Sequence, residues 1–293
     1  MSSKHHQPGI LAPLAAFGCS IVFRLKPEAN PAAALQRLQK EFDPAWGVVG
    51  LGEPLVRRLG AEIPGLRTFP ALSGPGQSVP STQQALWVFL GADDRSTVFD
   101  RATLVAEWLA EGFEVADRQD TFKYRDGRDL TGYEDGTENP GPEESPAVAL
   151  VPGDGWLAQS SFVAVQRWNH DLAGFNAHSR DEQDAMIGRR REDNEEIEDA
   201  PEYAHVKRSA QESFDPEAFM VRRSMPWAGS QGQGLEFVAY GRSLDAYEQV
   251  MTRMLGLEDG IADALFRFSR PVTGGYYWCP PVTSGRLDLG SML

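Results

Sequence analysis

The sequence predicts an α+β protein built from two ferredoxin-like βαββαβ units packed together, the dimeric α+β barrel type. Three observations predict it. Apolar, β-prone runs alternate with stretches whose apolar residues recur at helical spacing. The same order of elements occurs twice. A Pro- and Gly-rich stretch, residues 140–155, separates the two occurrences. The chain is thereby divided into an N-terminal domain, residues 1–145, and a C-terminal domain, residues 146–293.

In the first unit, residues 18–23 are apolar and β-prone. Residues 31–42 carry Ala34, Leu35, Leu38 and Phe42 at helical spacing. Residues 46–51 give a second strand, ended by Gly52. A Gly-, Pro- and Ser-rich loop covers residues 73–81, and residues 84–90 follow as a buried strand. Residues 96–109 read as a helix with Ser96 at its N-cap, and residues 113–124 as a further strand. The second unit opens with a strand over 161–168, rich in Phe162, Val163 and Val165. Residues 172–191 are helical in parts. Strands follow at 219–223 and 235–240. Residues 244–255 form an amphipathic helix with Tyr247, Val250, Met251 and Met254 on one side, and 260–268 form another helix.

Composition narrows the function. Hydrophobic residues make up 41% and charged residues 24%, as in an ordinary globular protein with a core. The net charge, 28 minus 42, is -14. Such a surface repels phosphate backbones and anionic membranes, so neither nucleic acid nor membrane is an expected partner. The two cysteines, Cys19 and Cys279, form no Cys-x-x-Cys pair, which removes thiolate zinc sites and thioether cofactor attachment. Both sit beside apolar residues and read as buried thiols in a reducing compartment. Residues 10–17 are too few, and too broken by Pro13, for a signal sequence, and no apolar run approaches a membrane span. The expected location is cytoplasmic. His5 and His6 read as part of an unstructured terminus rather than a metal clip.

The segment that carries chemistry is Gly132-Tyr133-Glu134-Asp135-Gly136-Thr137-Glu138-Asn139-Pro140. Gly136 admits backbone angles closed to other residues and lets a flat ligand approach the main chain, and Pro140 stiffens the exit. Asp135 is thus a carboxylate presented on a tight loop. An Asp-Gly pair alone is commonly a surface turn; the nine residues together are more specific.

This segment resembles the Gly-x-x-Asp-Gly motif of the dye-decolorizing peroxidases, in the bacterial cytoplasmic form that ends Thr-Glu-Asn-Pro. Three further segments resemble that family in the right order: Ala204-His205-Val206-Lys207-Arg208, Val221-Arg222-Arg223-Ser224-Met225-Pro226, and residues 266–277. The resemblance runs from about Gly132 to Tyr277. It implies the same duplicated fold, a haem b held mainly by the C-terminal domain, and a peroxidase that oxidises dyes, phenols or similar aromatic donors through a ferryl intermediate. It singles out His205 as the iron ligand among His170, His178 and His205, any of which the residues alone leave open as a structural histidine. Asp263 resembles the acidic residue that supports that ligand, and Gly136, Thr137 and Glu138 belong to the cofactor-contacting loop.

Peroxide cleavage needs a base to move a proton between the two oxygens and a cation to stabilise the developing charge. Asp135 and Arg222 fit these roles. On a strand, Arg222 and Ser224 share a face and Arg223 points away. Ser224 stands where relatives often carry Asn, and it is the third candidate catalytic residue. Leu235 and Phe237 alternate on the next strand, as pocket lining or as core. Arg189, Arg190 and Arg191 lie in a charge run near His205; the run reads as a solvated loop, with these arginines as candidate partners for haem propionates. Seven Trp and seven Tyr offer electron relays, and the sequence selects none.

Two alternatives belong to other classes: a haem storage, transfer or iron-release protein, and a haem-free ferredoxin-like binding module. The expected partners are hydrogen peroxide, aromatic reductants and copies of the chain in a homo-oligomer. The tail Gly285-Arg286-Leu287-Asp288-Leu289-Gly290-Ser291-Met292-Leu293 faintly resembles encapsulin-loading peptides, but no flexible linker precedes it, and an ordinary C-terminus is the favoured reading.

Overall fold

Ten strands in a computed structural model, which describes residues 4–292, make one antiparallel sheet. They are β1 (Phe17–Leu25), β2 (Gly47–Leu51), β3 (Leu86–Ala92), β4 (Phe113–Phe122), β5 (Ser161–His170), β6 (Val221–Arg222), β7 (Met225–Gly229), β8 (Gly232–Gly241), β9 (Ser269–Pro271) and β10 (Gly275–Cys279). The order is β7-β8-β5-β10-β2-β3-β1-β4, with β9 on β5 and β6 on β8. Each half of this order places second, third, first and fourth strands side by side, the arrangement of a ferredoxin-like unit. The halves meet through one register pair, Trp278 with Leu51. The outer edges of β4 and β7 approach through side chains. Thr121 Oγ1 donates to Met225 Sδ at 3.6 Å, and Arg167 on β5 meets Asp117 on β4 at 2.6 Å. No ladder joins these edges among the described residues, so the sheet does not close into a barrel.

Strand alternation divides the core into two layers. Cys19, Ile21, Phe23, Val88, Leu90, Phe162, Ala164 and Trp278 face the helices. Val48, Trp87, Val163, Val165, Tyr240 and Tyr277 face the concave interior of the sheet. The helices are α1 (Ala32–Glu41), α2 (Arg95–Leu109), α3 (Leu172–Ala177), α4 (Arg180–Ile187), α5 (His205–Arg208) and α6 (Asp245–Met254). α6 buries Tyr247, Val250, Met251 and Met254, the stripe that its periodicity predicts.

Several expected elements differ in detail. The cap of α2 is Asp94, whose carboxylate accepts from Thr97 N at 2.8 Å; Ser96 lies inside the first turn. The helical stretch after Leu172 is two helices, because Ser179 and Glu182 form a capping box that restarts the chain. The helix expected over 260–268 is a single 3-10 turn, Ala264–Arg267. Gly256 and Gly260 adopt left-handed angles that break the helix, and Asp263 starts the turn by accepting from Leu265 N. The loop over 73–81 contains a small hairpin, Leu72–Gly74 with Gln77–Val79.

Both ends of the described residues are built into the fold. Lys4 and His5 pair with Thr283 and Val282, and buried Gln7 exchanges bonds with Val49 and donates to Pro280 O, so this segment is ordered, contrary to expectation. Arg286 and Leu287 pair with the same strand, and Leu287 and Leu289 are in the core; Leu293, the last residue of the tail, lies outside the described residues. Both cysteines are buried free thiols. Among the described residues, no helix is long and apolar enough to cross a membrane.

Candidate active site

The loop that carries Asp135 is a folded hairpin rather than a free turn. Arg128 and Glu134 form an isolated bridge, and the Arg128 guanidinium binds Glu134 at 3.0 Å and Gly132 O at 3.0 Å. Gly132 and Gly136 have φ of 90° and 75°, which only glycine adopts cheaply. A Cβ at Gly136 would stand 2.8 Å from Asn139 Nδ2. Asn139 then ties this loop to the main chain of Arg222. Its Oδ1 accepts from Arg222 N at 2.8 Å, and its Nδ2 donates to Arg222 O at 3.1 Å. One amide thus sets Asp135 and Arg222 in a common frame.

Arg222 projects from β6, and the strand pauses immediately after it. Arg223 N still donates to Val238 O at 2.8 Å, but Val238 N is met by the Ser224 hydroxyl at 3.3 Å in place of a carbonyl. Beyond the pause, β7 continues in the same register against β8. The strand expected over 219–223 is therefore only Val221–Arg222, and β7, which contains Pro226, was not foreseen. Arg223 leaves the site as alternation predicts and donates to the carbonyls of Leu11 and Ala12.

His205 begins α5. Its Nδ1 bonds Asp263 Oδ2 at 2.8 Å, and the other oxygen of that buried carboxylate accepts from Leu265 N at 2.8 Å. The imidazole is therefore oriented by a fixed acceptor, and Nε2 has the cavity before it. The other histidines lack this freedom. Both ring nitrogens of His170 are engaged, Nδ1 with Ser269 Oγ at 2.6 Å and Nε2 with Asp129 Oδ1 at 3.1 Å. His178 sits on the surface, 3.7 Å from Glu182.

Asp135, Arg222 and His205 line one cavity with two joined lobes of about 100 and about 140 Å³. Leu235 and Leu265 belong to both lobes. Phe237, Val250, Met251 and Met254 wall the first; Thr137, Glu138, Ile187, Arg189 and Phe268 wall the second. The apolar walls determine the electrostatics. Asp135 is open to the cavity yet hemmed in by protein. That desolvation raises its carboxyl above the ordinary value of 3.8, against the lowering pull of Arg222; Asp129 adds to the rise, and His205 opposes it. Burial likewise pulls the Arg222 guanidinium below its ordinary value, and Asp135 and Glu138 resist. Arg222 Nε is buried without a hydrogen-bond partner. A buried orphan guanidinium nitrogen, an imidazole with a free Nε2 and an apolar slot between them suit a flat, partly anionic group with a metal at its centre.

The structure gathers His205, Asp263, Asp135, Arg222, Thr137, Glu138, Leu235 and Phe237 at or beside this cavity. Gly136 lines a neighbouring cleft that shares Asp135 and Arg222, as does Ser224, whose hydroxyl is engaged with the main chain. Of the three arginines, Arg189 lines the second lobe, where its guanidinium pairs with Glu138 and Glu196. Arg190 pairs with Asp193 and Glu195 in solvent, and Arg191 caps Thr131 O at 3.2 Å. Sequence reasoning missed the clamp made by Asn139 and the buried Ser269–His170–Asp129 chain. Asn139 was visible in the motif, but its partner is 83 residues away.

Residues 126–284 match the family model described as Dyp-type peroxidase, C-terminal. The dye-decolorizing peroxidase of Mycobacterium tuberculosis is 33% identical over 244 residues, covering 80% of this chain and 73% of that protein. The chain belongs to the Dyp-type peroxidase family. The dye-decolorizing peroxidase of Rhodococcus erythropolis is 32% identical over 291 residues, covering 92% of this chain and 85% of that one. Among solved structures, DyPB from Rhodococcus jostii RHA1 superposes with a TM-score of 0.85 at 27% identity, covering 93% and 94% of the two chains. A dye-decolorizing protein from V. cholerae gives 0.82 at 28% identity and 97% coverage of each. One variant of the R. jostii protein is described in complex with haem. Membership in this Dyp-type family makes the chain a haem-dependent peroxidase, an oxidoreductase by class.

Proposed function

We propose that this peroxidase holds one haem b in the cavity, with His205 Nε2 as the iron ligand and Asp135 and Arg222 on the opposite face. The observation that carries the reading is the shared cavity: an imidazole pinned through Nδ1 by Asp263 lines it together with a desolvated carboxylate and a guanidinium whose Nε is buried without a partner. Bound haem would supply the redox chemistry. The chain's own groups do the rest. Asp263 makes His205 a stronger donor. Asp135, as carboxylate, takes the proton from the inner peroxide oxygen and delivers it to the outer one. Arg222 stabilises the charge that grows on the leaving oxygen, which departs as water. Asn139 keeps Asp135 and Arg222 in register, and Ser224 fixes the strand pause beside Arg222. Thr137, Glu138 and Gly136 shape the loop edge of the slot, and Leu235 and Phe237 exclude water from it.

Hydrogen peroxide and small aromatic reductants are the proposed substrates, the cytoplasm the proposed compartment, and a homo-oligomer the proposed assembly. A haem-handling role is the weaker reading, because a carrier gains nothing from a desolvated carboxylate and guanidinium above its cargo. The deciding experiment is the visible spectrum of the haem-loaded protein before and after one equivalent of hydrogen peroxide. A Soret band that shifts promptly, with the ligand signature lost in His205→Ala, supports the proposal. A band indifferent to peroxide overturns the peroxidase chemistry and leaves haem binding. An unchanged ligand signature in His205→Ala overturns the ligand.

A further inference from the structure

The two lobes of the cavity hold only about 100 and about 140 Å³, so an aromatic donor of several rings has no room beside a bound haem. Two tyrosines among the described residues line it, Tyr247 in the first lobe and Tyr133 in the second. They differ in one chemical respect. The Tyr247 hydroxyl is buried without a hydrogen-bond partner. The Tyr133 hydroxyl donates to the Asp184 carboxylate. Loss of an electron makes a phenol strongly acidic, so a tyrosine oxidises readily only where its proton has an acceptor. Tyr133 has one in place, and Tyr247 has none.

The surroundings of Tyr133 fit a relay. Its ring is 4% exposed and sits edge-on to Phe175, 6.1 Å between centroids, in the small cluster with Phe268 that forms the cavity wall. Asp184 lies on the half-exposed side of α4 and also accepts from Arg191 N at 3.3 Å. Burial raises the phenol well above its ordinary value, which keeps the proton on oxygen until an electron leaves. One residue therefore spans from the cavity wall to the outer layer of the protein.

Resting on the peroxidase reading above, we infer that Tyr133 is the electron relay between the cavity and bulky aromatic donors at the α4 face, with Asp184 as its proton acceptor. In the forward step Tyr133 gives one electron to the oxidised cofactor, and its phenol proton passes to Asp184. A donor outside then returns one electron to the tyrosyl oxygen, and Asp184 returns the proton. Two such cycles complete the reduction of one peroxide to two waters, with two donor molecules each giving up one electron and releasing one proton; those two protons are the ones the waters take up.

The test uses the haem-loaded full chain, frozen after one equivalent of hydrogen peroxide and read by electron paramagnetic resonance. A tyrosyl signal in the parent that is lost in Tyr133→Phe and strongly reduced in Asp184→Asn is expected. Asp184→Asn keeps a hydrogen-bond acceptor but removes the base, so its fold is preserved. In Asp184→Asn, kcat/KM for a sulfonated anthraquinone dye should fall about tenfold or more, while that for hydroquinone stays within about twofold. A tyrosyl signal that persists in Tyr133→Phe, or dye turnover by the parent with no tyrosyl signal, overturns the relay. Equal loss on both donors in Asp184→Asn also overturns it and assigns the pair a structural role. Failure of the Soret band to respond to peroxide in the parent would instead sink the peroxidase reading, a separate result.

Discussion

A carboxylate can serve as a base only in its ionised form, and the walls of this cavity work against that form. Desolvation raises Asp135 above 3.8, and Arg222 moderates the rise. The ionised fraction falls as pH drops through the raised pKa, so the rate of reaction with peroxide should have an acid limb above the ordinary aspartate range. Asp135→Asn should remove the limb and lower the rate by roughly 10²–10⁴-fold. Arg222→Ala removes a cation that favours the carboxylate, so its acid limb should move to higher pH, on a rate about 10²–10³-fold lower. Stopped-flow measurement of the peroxide reaction across pH tests both. With His205 as the proposed iron ligand, Asp263→Asn should weaken its donor strength. The reduction potential of bound haem should rise, and activity should fall by about 10–100-fold; spectroelectrochemistry reads the first effect independently of turnover.

At the scale of elements, the site depends on how the loop that carries Asp135 is fastened to β6. Asn139 makes that fastening with two bonds to the Arg222 main chain. Asn139→Ala should cost about 1–3 kcal/mol in urea unfolding and slow peroxide reaction with little effect on haem content. Gly136→Ala forces a side chain into a left-handed conformation and toward the Asn139 amide, so a loss of about 1–2 kcal/mol is expected from backbone strain alone. Short elements of this kind are where sequence reading is weakest. Ser224 illustrates why. Alternation correctly separates Arg222 from Arg223, but whether the Ser224 hydroxyl faces a substrate or replaces a missing carbonyl depends on the position of Val238, on another strand.

Across the whole molecule, the two halves share one sheet yet pair in the ladder through a single residue couple, so bonds outside the ladder, among them Thr82 N to Gly274 O at 2.9 Å and several side-chain bonds, carry the rest of the union. Arg167 on β5 reaches Asp117 on β4 at 2.6 Å and buried Glu236 on β8 at 3.2 Å. Burial raises Glu236, and Arg167 is the chief influence that favours its charge. Arg167→Leu leaves that carboxylate buried and uncompensated, and should destabilise the protein by about 3–5 kcal/mol in chemical unfolding. Glu236→Gln should cost far less, because a neutral amide needs no counter-charge.

The sequence by itself determined the duplicated α+β order, the helix stripes and the run of motifs, because these rest on local periodicity and on residue types at fixed spacing. His205, Asp135 and Arg222 could be chosen from it by resemblance, though not brought together. Tertiary structure decided the rest. It left His170 with both nitrogens engaged and His205 with one free, joined Asn139 to a strand 83 residues away, and gave Tyr133 an acid at its hydroxyl. These are facts of direction and partnership between distant segments, and a one-dimensional pattern of side-chain types holds no information about which way a ring nitrogen or a hydroxyl will point once the chain is packed.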